Sequence, residues 1–155
     1  MKQSLLESSH KLLNMISDRK SEKKIKKYLD TVSIIFEKNT NSYFNENTKW
    51  IFSLITVSIY LNDPQYLYLA SHCLLTLHSI KEYNTDLLDE FVIMIVLLLN
   101  LSKFKYEEKS KEYIFSIKKI LTKRVIDLYN YKLRDTKTLD LLELGFVLIN
   151  SFKIR

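Results

Sequence analysis

Side chains that could bind a metal or act as a nucleophile are few in this sequence, and they are poorly spaced for either task. The histidines are His10, His72 and His78, and the single cysteine is Cys73. On a helix, His72 and Cys73 point about 100° apart. His78 lies six positions after His72, whereas two ligands of one metal favour i and i+4. We therefore expect no metal site, no cofactor and a buried, inert Cys73 thiol.

Two groups of acidic residues are dense enough to suggest paired carboxylates for general acid–base chemistry: Asp86, Asp89 and Glu90, and Glu107, Glu108 and Glu112. Both groups fall where a helix is expected to begin, and the helix dipole favours acids there without any catalytic role. The chain also holds one glycine (Gly145) and one proline (Pro64). That scarcity excludes a glycine-rich phosphate loop, a dinucleotide fingerprint and a nucleophile elbow. We predict that the protein is not an enzyme.

The same scarcity predicts an all-α fold, because sheet proteins depend on glycine and proline for their turns. Apolar side chains recur at helical spacing, and helices are expected in about seven segments. We place four of them at residues 3–17, 21–38, 48–61 and 138–152, and three more beginning at Pro64, at Asn84 or Thr85, and near Tyr106, with a loop at 39–47. Short linkers favour a compact stack of antiparallel helical hairpins, either a helical repeat or a bundle. Residues 1–155 are predicted to form one all-helical domain.

Three local features of these helices give testable expectations. Asp63 is expected to cap the fourth helix, with Pro64 at its first position. The unbroken apolar run from Phe91 to Leu99 predicts that the fifth helix is central and the most buried. Gly145 lies inside the seventh helix, where glycine costs about 1 kcal/mol relative to alanine. Close approach of a neighbouring helix would account for this glycine, and so would chance.

The chain is basic, with a formal net charge of +6, and its acidic excess falls in residues 62–101. Two groups of basic side chains lie outside that middle segment. Lysines on the outer face of an amphipathic helix are commonly just solvated, but such groups also suit a nucleic-acid surface. The candidate basic patch comprises Arg19, Lys20, Lys23, Lys24, Lys26, Lys27, Lys118, Lys119, Lys123 and Arg124.

Tyrosine is in excess, with ten in the chain, and four lie around the third to fifth helices: Tyr60, Tyr66, Tyr68 and Tyr83. A tyrosine has an apolar ring and a polar tip, which suits the wall of a groove and equally the margin of a core. We predict that these four residues contact a protein or peptide partner. Binding would come from burial of the rings, while nearby acids select a basic ligand.

Three stretches carry a family resemblance: Leu61-Asn62-Asp63, the acidic start Asp86-Leu87-Leu88-Asp89-Glu90 before an apolar helix, and Lys103-Phe104-Lys105-Tyr106-Glu107-Glu108. With them, the segment from Ile55 to Tyr131 resembles the C-terminal, tetratricopeptide-like domain of the Rgg/MutR-type peptide-sensing regulators of Gram-positive bacteria. The resemblance implies stacked helical hairpins. The DNA-binding helix-turn-helix of that family is not recognisable at the N-terminus, so DNA binding does not carry over.

A shorter stretch, Asn62-Asp63-Pro64 with Tyr68, Ala70 and Cys73-Leu74-Leu75, is similar to one repeat of the tetratricopeptide-type chaperones of type III secretion translocators. This second likeness also implies stacked helical hairpins. The chain is basic where those chaperones tend to be acidic.

These observations predict a non-enzymatic, protein- or peptide-binding helical module with a regulatory or adaptor role. We expect a cytoplasmic location, because no signal peptide is apparent and one cysteine permits no intrachain disulfide. The longest apolar run is far shorter than the ~20 residues of a membrane span. The alternative is a small basic protein that binds nucleic acid through the candidate basic patch. Homo-oligomerisation through a leftover apolar face is a further alternative.

Overall fold

The computed structural model describes residues 5–38, 44–78, 87–130, 140, 143–145 and 147. Within these residues, every regular element is helical, which confirms the predicted all-α fold class. The elements are α1 (Leu5–Ser17), α2 (Glu22–Lys38), α3 (Phe44–Leu61), α4 (Gln65–His78), α5 (Leu87–Leu101), a 3-10 turn (Ser102–Phe104) and α6 (Glu108–Asn130).

The chain divides into two compact units, Met1–Asn84 and Thr85–Arg155. In the first unit, α3 lies against both α1 and α4, and α2 contacts α1. In the second unit, α5 packs against α6, and the 3-10 turn contacts both helices. The pairs α3/α4 and α5/α6 are helical hairpins of consecutive helices, as the short linkers predict. A single domain over residues 1–155 stays a prediction.

Amphipathic stripes build the core of the first unit. Ile25, Leu29 and Val32 are the buried positions of α2, at the spacing that predicts one helical face. Trp50 of α3 is 1 % exposed and is the largest fully buried side chain; removal of such a side chain typically costs about 3–5 kcal/mol. Ser21 begins α2 by accepting a hydrogen bond on Oγ from Lys24 N at 3.4 Å. The helix is therefore capped at its start and anchored along one side.

The core of the second unit lies between α5 and α6. Phe91, Ile93, Met94, Leu97 and Leu98 of α5 are buried, and they meet a buried stripe on α6 formed by Ile114, Ile117, Leu121 and Val125. The apolar run is not buried all round, because Leu99 is 45 % exposed. A central position for this helix stays a prediction.

Gly145 packs closely against this core, which favours the first of the two explanations that the sequence left open for this glycine. A Cβ atom at Gly145 would lie 2.6 Å from Phe91 Cζ and 3.2 Å from Val125 Cγ2. Real Cβ atoms do not approach other atoms as closely as the first distance. The absence of a side chain at this position therefore lets the glycine backbone approach both α5 and α6.

Some predicted boundaries were wrong. α3 begins at Phe44, so residues 44–47 are helical although we predicted a loop there. Once a helix is nucleated, each further residue adds a hydrogen bond, so asparagines beside a buried Trp50 join the helix despite weak propensity. The 3-10 turn was not predicted, and α6 begins at Glu108. Most of the seventh predicted helix and residues 39–43 lie outside the described residues, but residues 143–145 are helical.

Candidate ligand-binding cleft

A cleft of about 380 Å³ opens between α2 and the beginning of α4 in the first unit. Its walls combine apolar, acidic and amide side chains. We call it the α2/α4 cleft, and its lining residues are Lys26, Leu29, Asp30, Asp63, Gln65, Tyr66 and Leu69.

The turn between α3 and α4 fixes one wall of the α2/α4 cleft. Asn62 adopts the left-handed conformation, with φ at 52°, and Asp63 N donates a hydrogen bond to Ser58 O at 3.2 Å. These are features of a Schellman cap, which ends a helix and reverses the chain. Ser58 Oγ also donates to Asp63 O at 2.9 Å. Two hydrogen bonds with Ser58 of α3 therefore fix the backbone of Asp63.

Asp63 also begins α4, as predicted. Its Oδ1 accepts a hydrogen bond from Gln65 N at 3.0 Å, and Tyr68 N donates to Pro64 O at 3.0 Å. The side chain therefore satisfies one of the amides that a helix leaves without an intrahelical acceptor. Tyr66 and Leu69 are three positions apart in α4, so the helix presents them on one side. On α2, Leu29 sits at the edge of the buried stripe.

The electrostatic character of the α2/α4 cleft opposes that of the whole chain. Its lining holds the carboxylates of Asp30 and Asp63 and one ammonium group, that of Lys26. Lys26 Nζ lies 3.2 Å from Glu22 Oε1, so a carboxylate outside the lining offsets this cation. The chain carries +6 overall, yet the lining of this cleft holds two carboxylates and one ammonium group.

Tyr66 also lines the cleft, and its hydroxyl oxygen is itself buried from solvent. The residue is 6 % exposed, and within the described part of the chain its hydroxyl has no hydrogen-bond partner. Burial, followed by the negative charges of Asp63, Glu22 and Asp30, raises the pKa of Tyr66 from 10.0 to about 12. The hydroxyl is therefore neutral at physiological pH and lies in the field of the acids that line the cleft.

The other tyrosines predicted to bind a partner are placed differently. Tyr68 is 4 % exposed and belongs to the core. Tyr60 is 38 % exposed, and its hydroxyl donates to Lys20 O at 3.1 Å, beside the turn between α1 and α2. Tyr83 lies outside the described residues. Three of the four predicted tyrosines lie in the described part of the chain, and of these Tyr66 lines the α2/α4 cleft. Partner binding by these tyrosines stays a prediction.

The candidate basic patch has members in both units. Arg19, Lys20, Lys23, Lys24 and Lys27 are exposed in the first unit, and Lys119 and Lys123 are exposed in the second. Lys118 is half-buried. Arg124 is held in the second unit by Glu90, with Nε to Oε1 at 3.3 Å. Lys26 differs from its neighbours on α2 because it lines the cleft and pairs with Glu22.

The remaining chemical candidates stay apart. Cys73 is 1 % exposed, as predicted, and burial raises the pKa of its thiol from 9.0 to about 12. His10 and His72 are exposed and His78 is half-buried. In the described ranges, no three residues among histidine, cysteine, aspartate and glutamate are grouped to hold a metal ion. None of the described helices combines the length and apolarity that crossing a membrane requires.

The chain was compared with known families, with curated proteins and with solved structures. No family model, curated protein or solved structure matches it. The resemblance to the Rgg/MutR-type regulators therefore stays a prediction.

Proposed function

We propose that this protein is a non-enzymatic module that binds a segment of a partner protein, or a peptide, in the α2/α4 cleft. The observation that carries the proposal is the cleft itself, at about 380 Å³. Ligand sites commonly lie in clefts of roughly 300–1,000 Å³ whose apolar walls carry a few polar groups. A module that binds a partner segment without catalysing a reaction would have a regulatory or adaptor role.

Apolar burial would supply the affinity. Leu29, Leu69 and the ring of Tyr66 line the cleft, and burial of apolar surface contributes about 25 cal/mol per Å². The volume suits one or two inserted side chains, because a whole helix is about 10 Å across. The partner segment would therefore insert anchor side chains into the cleft, while its remaining residues lie across α2 and α4.

Peptide selection with the whole chain tests this proposal. Heptapeptides displayed on phage would be selected against the protein, and those that bind would be tested with two variants. Leu69→Gln makes the cleft wall polar, whereas Leu13→Gln makes the same change at a site on α1 that is 39 % exposed. We expect Leu69→Gln to weaken binding and Leu13→Gln to leave it unchanged. Equal affinity for both variants would place the binding surface elsewhere and contradict the proposal.

A second candidate is binding of nucleic acid through the residue before α2 and the first turns of that helix. Lys20, Lys23, Lys24 and Lys27 are exposed there, and exposed lysines can neutralise backbone phosphates. A salt titration with a labelled single-stranded DNA and a single-stranded RNA tests this candidate. Each phosphate contact should contribute about −0.7 to the slope of log affinity against log salt. Absence of binding at low salt would exclude the candidate.

A further inference from the structure

We infer that α6 docks against a second copy of this chain, with the two helices antiparallel and the two Phe115 side chains in contact. This helix belongs to the second unit, so self-association goes beyond the proposed function and is independent of the α2/α4 cleft. Exposed apolar side chains and charges of both signs follow one another along the outer face of α6, and their order points to this occupant.

The outer face of α6 lies opposite the side that packs on α5. The buried positions of the helix recur at the spacing of one face. The positions half a turn away from them are exposed and form a continuous stripe along the helix axis. This outer stripe comprises Glu108, Glu112, Phe115, Lys119, Thr122 and Ile126.

Two bulky apolar side chains interrupt the outer stripe. Phe115 is 59 % exposed and Ile126 is 55 % exposed, whereas the solvent-facing side of an amphipathic helix is ordinarily polar. Aromatic side chains are enriched at protein interfaces, because each ring buries a large apolar area there. Burial of Phe115 against a partner would therefore supply the affinity.

The charges beside Phe115 select the partner. Glu112 lies three positions before Phe115 and Lys119 lies four positions after it, which is about one helical turn on each side. When a second α6 crosses at Phe115 in the opposite direction, Glu112 of each copy faces Lys119 of the other. The outer stripe is therefore complementary to itself about a two-fold axis, as the interface of a symmetric dimer must be.

Other occupants of the outer stripe would meet like charges. In a parallel pair, Glu112 would face Glu112 and Lys119 would face Lys119. An antiparallel pair shifted so that Phe115 meets Ile126 would gather the lysines at positions 119 and 123 of both copies between these contacts. A nucleic acid would bring phosphates close to the carboxylate of Glu112. Charge therefore favours the antiparallel second copy centred on Phe115.

Sedimentation of the whole chain at increasing concentration tests the inference. We expect a weak, reversible equilibrium of monomer and dimer, because one helix face is smaller than the roughly 800 Å² that each partner buries in a standard interface. In ¹⁵N spectra of the same dilution series, the amide signals of Glu112, Phe115 and Lys119 should move together. A chain that stays monomeric up to millimolar concentration would overturn the inference and leave the outer stripe to an unlike partner.

Two substitutions at equally exposed positions locate the contact. Phe115→Gln removes the central ring, and Ile59→Gln makes a comparable change on α3, where the side chain is 58 % exposed. We expect Phe115→Gln to weaken dimerisation roughly tenfold or more and Ile59→Gln to leave it unchanged. Both variants should keep the stability of the original chain, because exposed positions tolerate substitution. Equal dimerisation of the two variants would place the contact elsewhere and overturn the inference.

Charge reversal tests the antiparallel orientation. Glu112→Lys and Lys119→Glu each place like charges opposite one another, so each variant alone should dimerise roughly tenfold more weakly. When the two variants are mixed, every facing pair of the heterodimer has opposite charges again, so dimerisation should recover. Lys23→Glu, at an exposed position of α2, is the matched control and should have no effect. A mixture that dimerises no better than its components would overturn the antiparallel arrangement.

Discussion

Glu90 Oε1 lies 3.3 Å from Arg124 Nε, and this ion pair joins α5 to α6 across 34 positions of the sequence. The side chains are 2 % and 18 % exposed, respectively. Glu90 appeared from the sequence to be one of several acids favoured by a helix dipole, and Arg124 appeared to be part of a basic surface. Because these two side chains pair with each other, both contribute to the packing of α5 against α6 in the second unit. The arginine is therefore the least suited member of the candidate basic patch for binding phosphate.

Removal of Arg124 should destabilise the second unit strongly. Arg124→Met leaves the buried Glu90 carboxylate without its cationic neighbour, and breaking a buried ion pair typically costs about 3–5 kcal/mol. Urea unfolding followed by circular dichroism measures the change. Lys123→Met is the matched control, because Lys123 is exposed and such substitutions usually change stability by less than about 0.5 kcal/mol. The double variant Glu90→Gln with Arg124→Met should recover part of the loss. Equal stability of Lys123→Met and Arg124→Met would contradict a contribution of the Glu90–Arg124 ion pair to stability.

Gly145→Ala should destabilise the protein although alanine is the better helix former. In an exposed helix the change would stabilise by about 1 kcal/mol. Here the new Cβ would meet Phe91 Cζ at 2.6 Å, and Phe91 is fully buried, so overpacking of about 1–3 kcal/mol outweighs the gain. Thermal unfolding of the variant measures the sign. In a Phe91→Leu background the same change should be less harmful, and a loss of equal size in both backgrounds would rule out the contact with the ring.

Asp63 contributes both a capping oxygen and a negative charge, and two substitutions can separate these contributions. Asp63→Ala removes the oxygen that accepts from Gln65 N, so we expect a loss of about 1 kcal/mol in the free energy of unfolding. Asp63→Asn retains a capping oxygen and should cost less than half as much. Chemical denaturation of both variants provides the comparison. If asparagine and alanine destabilise equally, the capping contribution is disproved and the charge of Asp63 becomes the important property.

Local periodicity predicted the helices well, but it could not predict the α2/α4 cleft. The buried stripe of Ile25, Leu29 and Val32 follows from the spacing of apolar residues within α2. The cleft instead depends on two helices that α3 separates in the sequence, so no local pattern places Asp30 beside Tyr66. Tyr66 and Tyr68 project from nearly opposite sides of α4, yet both are buried. The sequence alone could not show that α4 is covered on so much of its circumference.

High pH should destabilise the protein through two buried acids, Cys73 and Tyr66. Their pKa values are raised from 9.0 and 10.0, respectively, to about 12. Burial is the first cause for both, and nearby carboxylates add to it for Tyr66. In the unfolded chain each group loses its proton near its ordinary pKa, while the folded protein retains it. The folded state therefore binds more protons above pH 9, so the free energy of unfolding falls as pH rises. The stabilisation is complete below pH 9 and is lost progressively toward pH 12.

Substitution of either group should flatten its part of this pH dependence. Cys73→Ala removes the contribution that begins near pH 9, and Tyr66→Phe removes the one that begins near pH 10. Urea unfolding at a series of alkaline pH values measures both slopes. Tyr106→Phe is the control for general alkaline effects, because Tyr106 is 83 % exposed. If Tyr66→Phe and Tyr106→Phe lose stability equally steeply above pH 10, the Tyr66 hydroxyl is not held in the neutral form by burial.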